Sequence, residues 1–375
     1  MLIENVKYFG EDYRFHFGDV TIKNGGFERI EEKKQPDDDR AYFMIPGLVD
    51  IHLHGNSGED FSDGSYDGLI KMARFLAQAG ITSFCPASMT LPEQTIAVAC
   101  RNAARLQSEA PEGCARLRGV TMEGPFFNEK KKGAQNAAYL KKPDAEAFRR
   151  LQSEAGGLIR IACVAPELEG AADYIREVSE AGVTVSAAHT GAAYEAAAAG
   201  FDAGITHVTH LFNAMPPLLH REPSVIGAAS ERENVTAELI CDGIHVHPCA
   251  VRAAFKLFGA SRICFVSDAM AACGLADGES MLGGQKVYIK KGRATLADGT
   301  IAGSVATLFE CVKTAISMGI PAEEAVRCAT ANPASVIGAD DIGCIAVGKQ
   351  ADFLLCGSGW TLTDVYIAGN RIERT

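Results

Sequence analysis

The chain has 375 residues, which at about 150 residues per domain means one large domain with additions and excludes a mini-protein. Its 36 basic and 47 acidic side chains leave a net charge of -11, the wrong sign for gripping a polyphosphate backbone, so nucleic-acid binding is excluded as the main function. With 47% hydrophobic and 22% charged residues, the composition belongs to a globular chain able to bury a large core.

The N-terminal residues carry acids where a secretory leader carries bases, and they lack an apolar stretch ending in small residues. No window reaches the ~18 apolar residues of a spanning helix. Residues 1–44 are short extended runs with a turn at Lys23-Asn24-Gly25-Gly26. From residue 45, short β-branched runs alternate with longer amphipathic stretches, the pattern that builds parallel β/α units. Strands are predicted at 47–51, 81–86, 117–122, 159–165, 183–188, 206–209, 236–241 and 263–267. Helices are predicted at 66–78, 92–108, 144–154, 171–181, 193–199, 248–258, 308–317 and 322–331. Gly80 and Gly182 stand just past apolar-periodic runs, and Asn332-Pro333 is expected to stop the last helix. This alternation predicts an α/β fold, a (β/α)8 TIM-like barrel over 45–342 with a hairpin insertion near 284–299. Residues 343–375, turning at Ala368-Gly369-Asn370, are expected to join 1–44 in a small β-sandwich built from both termini. The twelve cysteines lie scattered in apolar runs without a C-x-x-C pair and read as reduced core fillers, so a cytoplasmic protein without membrane contact is expected.

In a β/α barrel the active site lies at the carboxyl ends of the strands, so a ligand-type residue that ends an apolar run is a candidate. The first strand ends in His52-Leu-His54, and alternation places both imidazoles on one face. Glu123 ends the third strand, His189 the fifth, His210 the sixth and Asp268 the eighth. Carboxylates and imidazoles from separate strands meeting at one mouth suit zinc, iron or manganese better than calcium or magnesium, which favour oxygen alone. His207, three residues before His210, is expected to face the other way and to be structural. His245 and His247 follow the seventh strand at the same mouth, and one of them is a candidate substrate contact. No glycine-rich phosphate loop follows a strand, so a phosphate would be held by side chains such as Arg221 or by backbone amides.

These residues, with Pro46-Gly-Leu-Val-Asp-Ile-His-Leu-His-Gly, Met122-Glu-Gly-Pro-Phe, Lys132-Gly-Ala, Thr209-His-Leu-Phe-Asn-Ala-Met, Arg221-Glu-Pro, Ser267-Asp-Ala-Met and Ile301-Ala-Gly-Ser, resemble the amidohydrolase superfamily. Within it they are similar to the branch that deacetylates amino-sugar phosphates. The resemblance implies one or two divalent ions per chain on Glu123, His189 and His210, with His52, His54 and Asp268 available to a second ion and Glu123 as the bridge. It implies Asp268 as the catalytic acid/base and His245 as a catalytic residue touching substrate. It places substrate contacts at Ala134, Gln135, Asn213, Ala214, Arg221, Ile301, Ala302 and Gly303. The implied reaction is hydrolysis of the acetamide of N-acetyl-D-glucosamine 6-phosphate to glucosamine 6-phosphate and acetate by a homodimer, with the galactosamine isomer or a related amide as the alternative. Two positions depart from the family pattern: Gln135 stands where histidine is common, and Ser224 where glycine is usual.

Overall fold

The computed structural model describes residues 1–34 and 42–374. Strands β1 (Leu2–Phe9), β2 (Phe15–Lys23), β3 (Gly26–Glu32) and β4 (Phe43–Pro46) come from the N-terminal end. They join β19 (Phe353–Gly357), β20 (Thr361–Ile367) and β21 (Asn370–Arg371) from the C-terminal end. Hydrogen bonding links all seven in one sheet, ordered β21-β20-β19-β4-β1-β2-β3. In this mixed sheet β4 pairs with β1 on one edge and β19 on the other and so splices the two ends of the chain, and the sheet folds over so that Phe27 of β3 meets Phe353 of β19 with ring centroids 6.1 Å apart.

The central strands are β5 (Leu48–Leu53), β8 (Ile81–Pro86), β9 (Arg116–Leu117), β10 (Val120–Met122), β11 (Ile159–Val164), β12 (Thr184–Ala187), β13 (Ile205–Val208), β14 (Thr236–Ile240) and β15 (Ile263–Val266). A two-residue hairpin, β6 (Gly55–Asn56) with β7 (Glu59–Asp60), follows β5. All eight expected strands are present and parallel, the third of them broken into β9 and β10. They do not form one closed ladder, however. Strands β10 to β15 make a six-stranded sheet and β5, β8 and β9 a separate three-stranded one, so the structure is a distorted, partly open β/α sheet rather than a fully closed eight-stranded barrel. The seams carry isolated contacts: an Ala87–Thr121 bridge, a bond from Asp268 N to His52 O at 2.9 Å, and the buried Asp50 accepting from Ser267 Oγ at 2.5 Å.

The central strands read as apolar runs because both faces are buried. Val49, Ile51, Ile161, Cys163, Cys264 and Val266, alternate residues of their strands, meet in one inner cluster, and each of its valines and isoleucines contributes about 1.5–3 kcal/mol on burial. The opposite faces pack on helices, of which Tyr66–Gln78, Pro248–Phe258 and Leu308–Ser317 have the bounds expected from periodicity. Two helical expectations change. Helix Ser224–Ser230 was not legible in the short run between β13 and β14. Asn332-Pro333 does not end the helical region but lies in the first turn of helix Ala331–Val336, where proline's missing N–H has no partner to lose. A three-stranded meander, β16 (Gly278–Leu282), β17 (Gln285–Lys290) and β18 (Arg293–Thr295), packs its apolar face on Met89 and Met270 beside the carboxyl ends of the strands. No helix among the described residues is long and apolar enough to cross a membrane.

Candidate metal centre

Three site residues are delivered by one backbone device. His189, His210 and Asp268 each lie two positions beyond a strand end (β12, β13 and β15), and each has a left-handed backbone, with φ of 44, 31 and 48°. A non-glycine residue there costs on the order of 1–2 kcal/mol, and the turn aims its side chain back over the strand ends. Glu123 directly follows β10. Its neighbour Gly124 has φ +102°, and a Cβ there would stand 2.2 Å from Thr90 Oγ1, so only glycine fits.

The first strand reaches the same place differently. Val49 and Ile51 point into the inner cluster, so strict alternation would send His52 outward. The register against β8 breaks between Asp50 and Leu53, and His52 turns inward beside His54, their rings 5.6 Å apart.

The four imidazoles are all held from behind. His54 Nδ1 donates to Ala87 O at 3.2 Å, His189 Nδ1 to Lys131 O at 2.9 Å and His210 Nδ1 to Asn213 O at 3.2 Å. His52 Nδ1 donates to the buried Glu238 Oε2 at 2.9 Å. These acceptors assign the proton to Nδ1 in every ring and leave each Nε2 as a lone pair directed inward. The inward atoms then crowd one another. His189 Nε2 and His210 Nε2 stand 3.2 Å apart and each 3.1 Å from Glu123 Oε1. His54 Nε2 lies 3.3 Å from Glu123 Oε2 and 3.4 Å from Asp268 Oδ1. His52 Nε2 is buried with no hydrogen-bond partner among the described residues.

Lone pairs packed against lone pairs and carboxylates need positive charge among them, and this donor set fits a divalent cation. Two groups satisfy the requirement, His52 with His54 and Asp268, and Glu123 with His189 and His210, so the centre can hold one or two divalent ions. The electrostatics agree. Burial opposes a proton on His54, but Asp268 and Glu123 outweigh it and push its pKa up to about 10. Burial likewise opposes charge on Glu123, yet His52, His189 and His210 hold its carboxyl well below the usual range. The field that draws a proton there also draws a cation.

Around this centre lies a cavity of about 270 Å³. Ala134, Gln135, Asn213, Ala214, His245, Ile301 and Gly303 line it together with His54, Glu123, His189, His210 and Asp268. Gly303 has φ +69° and backs onto Asp268 O, where a Cβ would stand 3.1 Å away. Two expected contacts are placed elsewhere: Ala302 is buried and absent from the lining, and Arg221 is exposed on the loop after His220, outside its own chain's cavity. A larger cavity of about 710 Å³ opens between the helix Glu93–Glu109 and β21, lined by Arg74, Arg116, Arg118 and Arg371. None of the clustered imidazoles and carboxylates faces it.

Several side chains take roles in the site beyond, or different from, those expected from the sequence. His207 does not face away: its Nε2 lies 3.2 Å from Glu238 Oε1 inside the strands. The alternation count failed because β13 ends at Val208 and His210 belongs to the turn beyond it. Glu238 carries one weak signal in the sequence, a single acid inside the apolar run Thr236–Ile240. Gln135 bridges the site, its Nε2 donating to Glu123 Oε2 at 2.7 Å and its Oε1 accepting from Thr90 N at 2.7 Å. Asp242 accepts from His245 Nδ1 at 2.7 Å and leaves His245 Nε2 toward the cavity. Burial lowers the His245 pKa, but Asp242 raises it further, for a net upward shift. His247 is spent capping the helix Pro248–Phe258, accepting from Cys249 N.

Comparison with known proteins places these observations. The amidohydrolase family profile matches residues 43–372. The chain is 34% identical to an N-acetylglucosamine-6-phosphate deacetylase of Bacillus subtilis (strain 168), over 99% of this chain and 96% of the relative. It is 32% identical to an N-acetylgalactosamine-6-phosphate deacetylase of Escherichia coli O157:H7, over 88% and 87%. The crystal structure of N-acetyl-D-glucosamine-6-phosphate deacetylase from Mycobacterium smegmatis superposes with a TM-score of 0.92 at 31% identity, covering 100% of both chains.

Proposed function

The chain belongs to the amidohydrolase family, and on that premise we propose that it hydrolyses the acetamide of N-acetyl-D-glucosamine 6-phosphate, releasing glucosamine 6-phosphate and acetate. It is a metal-dependent hydrolase of an amino-sugar phosphate. The observation that carries the reading is the convergence of four Nε2 lone pairs on Glu123 and Asp268 at the floor of a small-molecule cavity. The galactosamine isomer is the second reading, favoured by the E. coli relative.

Glu123, His189 and His210 would hold one divalent ion, zinc, iron or manganese, and His52, His54 and Asp268 a second, with Glu123 facing both. Such an ion supplies Lewis-acid polarisation of the acetamide carbonyl and acidifies water toward neutral pH. The chain's own groups do the rest. Asp268, buried with Oδ1 toward the centre, takes a proton from the attacking water as the new C–O bond forms. It returns that proton to the amide nitrogen, so that the C–N bond breaks to leave an amine. His245, held by Asp242 in the orientation that directs Nε2 into the cavity, donates to the acetamide oxygen as charge develops there. Asn213, Ala214, Ile301 and Gly303 orient the sugar.

The catalytic unit on this reading is residues 45–342, with 1–44 and 343–375 as an appended β unit. Arg221, exposed beside the exposed Leu218 and Leu219, serves the phosphate of a neighbouring subunit in a homodimer. Twelve free cysteines, eleven of them buried, support a reducing, cytoplasmic setting.

The test is acetate release from the glucosamine and galactosamine isomers, each with and without the 6-phosphate. The glucosamine phosphate should turn over fastest. Preference for the galactosamine phosphate would move the assignment to the second reading, and equal turnover without phosphate would remove Arg221 from it.

A further inference from the structure

One buried carboxylate touches both halves of the metal centre without belonging to either. Glu238, midway along β14 and with no exposed surface, accepts two bonds on Oε2, from His52 Nδ1 at 2.9 Å and from the backbone N of His210 at 3.0 Å. Its other oxygen, Oε1, lies 3.2 Å from His207 Nε2, and His207 Nδ1 meets Thr236 Oγ1 at 2.6 Å. Both carboxylate oxygens are thus committed to protein donors and neither is free to bind an ion. Burying a carboxylate is costly unless it is fully hydrogen-bonded. Here three donors satisfy it, and two of them are a candidate ligand ring and the main chain of another candidate ligand.

We propose that Glu238 is a positioning residue that fixes the Nδ1 proton and ring orientation of His52, and thereby sets the affinity of the His52, His54 and Asp268 cluster for its ion. Among the described residues the ring of His52 has no other anchor on Nδ1: the three remaining imidazoles are held by neutral carbonyls, and His52 by a carboxylate. A charged acceptor makes the opposite ring nitrogen a stronger donor to a cation, and outer partners of this kind are typically worth roughly 10–100-fold in metal affinity. The bond to His210 N steadies the left-handed turn that carries the other cluster's ligand, so one side chain sets the spacing between the clusters. His207 completes the arrangement from below. The inference rests on the two-ion reading of the centre and not on which sugar is the substrate.

The variant E238Q separates charge from shape. The carbonyl of the introduced amide can accept from His52 and His210 N, and its NH2 group can donate to His207 Nε2 once His207 moves its proton to Nδ1 and gives it to Thr236. The hydrogen-bond inventory survives and the negative charge does not. Wild type and variant would be stripped with chelator and titrated with cobalt(II), reading bound metal per chain and the visible absorption accompanying each equivalent. The expected result is two equivalents for wild type. In E238Q the first equivalent should be unchanged, the second roughly 10–100-fold weaker, and the urea unfolding midpoint of the stripped proteins alike. The double variant H52N/E238Q should bind no more weakly than H52N alone, because Glu238 acts through His52. If E238Q fails to fold, E238D, which keeps the charge but shortens its reach, takes its place and should weaken the second equivalent likewise. Equal second equivalents in wild type and variant, a second equivalent absent from wild type, or full additivity with H52N would overturn the proposal. Absence of acetate release by a wild type that binds both ions would instead overturn the substrate reading and leave Glu238 in place.

Discussion

His189 Nε2 and His210 Nε2 face each other at 3.2 Å while both rings give their Nδ1 protons to backbone carbonyls, Lys131 O and Asn213 O. Two acceptor lone pairs cannot bond to one another, and Glu123 Oε1, 3.1 Å from each, adds a third. The arrangement is that of ligands around a cation, built by left-handed turns that themselves cost energy.

Metal binding should therefore contribute directly to stability. Chelation is expected to lower Tm, and zinc, iron or manganese to restore it. An ion at about a thousand times its Kd stabilises by roughly 4 kcal/mol. Differential scanning calorimetry with and without chelator measures this, and an unchanged Tm would contradict it.

Asp268→Asn is expected to keep the fold and the ion on Glu123, His189 and His210 while lowering kcat roughly a hundred- to ten-thousand-fold. Asparagine tolerates the left-handed backbone of position 268, so the change removes proton transfer without disturbing the turn. Steady-state kinetics beside metal analysis reads both halves, and near-normal turnover would take Asp268 out of the acid/base role.

Asp242→Asn should move a pH limb. Asp242 raises the His245 pKa, so the protonated ring, which on the proposed mechanism would donate to the acetamide oxygen, persists to higher pH while Asp242 is charged. Activity that depends on this proton is present below the His245 pKa and lost as pH rises through it. With asparagine at 242, the alkaline limb of kcat/KM should shift to lower pH. A limb that stays in place would separate His245 from catalysis.

Gln135→Ala should act on Glu123 and on the backbone together. It leaves the buried Thr90 N–H without its acceptor and frees one side of the Glu123 carboxylate. The expected loss is about 1–3 kcal/mol of stability with weaker metal binding, measurable by urea unfolding and by metal titration. Gln135→His probes the departure from the family pattern: an imidazole at 135 has to choose between Glu123 and Thr90 N.

Most of the centre was legible because a β/α sheet places functional residues where apolar runs end. Glu123, His189, His210 and Asp268 each follow such a run, and all eight expected strands are found. Closure of the sheet was not legible, since it depends on hydrogen bonds between β15 and β5, which are remote from each other in the chain. Glu238 stayed hidden because its partner His52 lies 186 residues away and period-2 counting reports a face, not a contact. Strand alternation alone misdirects His207 and does not explain the inward turn of His52, because it assumes regular strands. One strand ends at Val208 and the other breaks register after Asp50. The pairing of β4 with strands from both ends of the chain was not legible either, because it is a tertiary choice that local pattern does not encode.

Anomalous diffraction from crystals of the active enzyme tests the metal centre most directly. The predicted result is a metal peak among His189 Nε2, His210 Nε2 and Glu123 Oε1, with a second beside His52, His54 and Asp268 when both sites are filled. Crystals that still release acetate from N-acetyl-D-glucosamine 6-phosphate, yet carry no peak at Glu123, His189 and His210, would contradict the account.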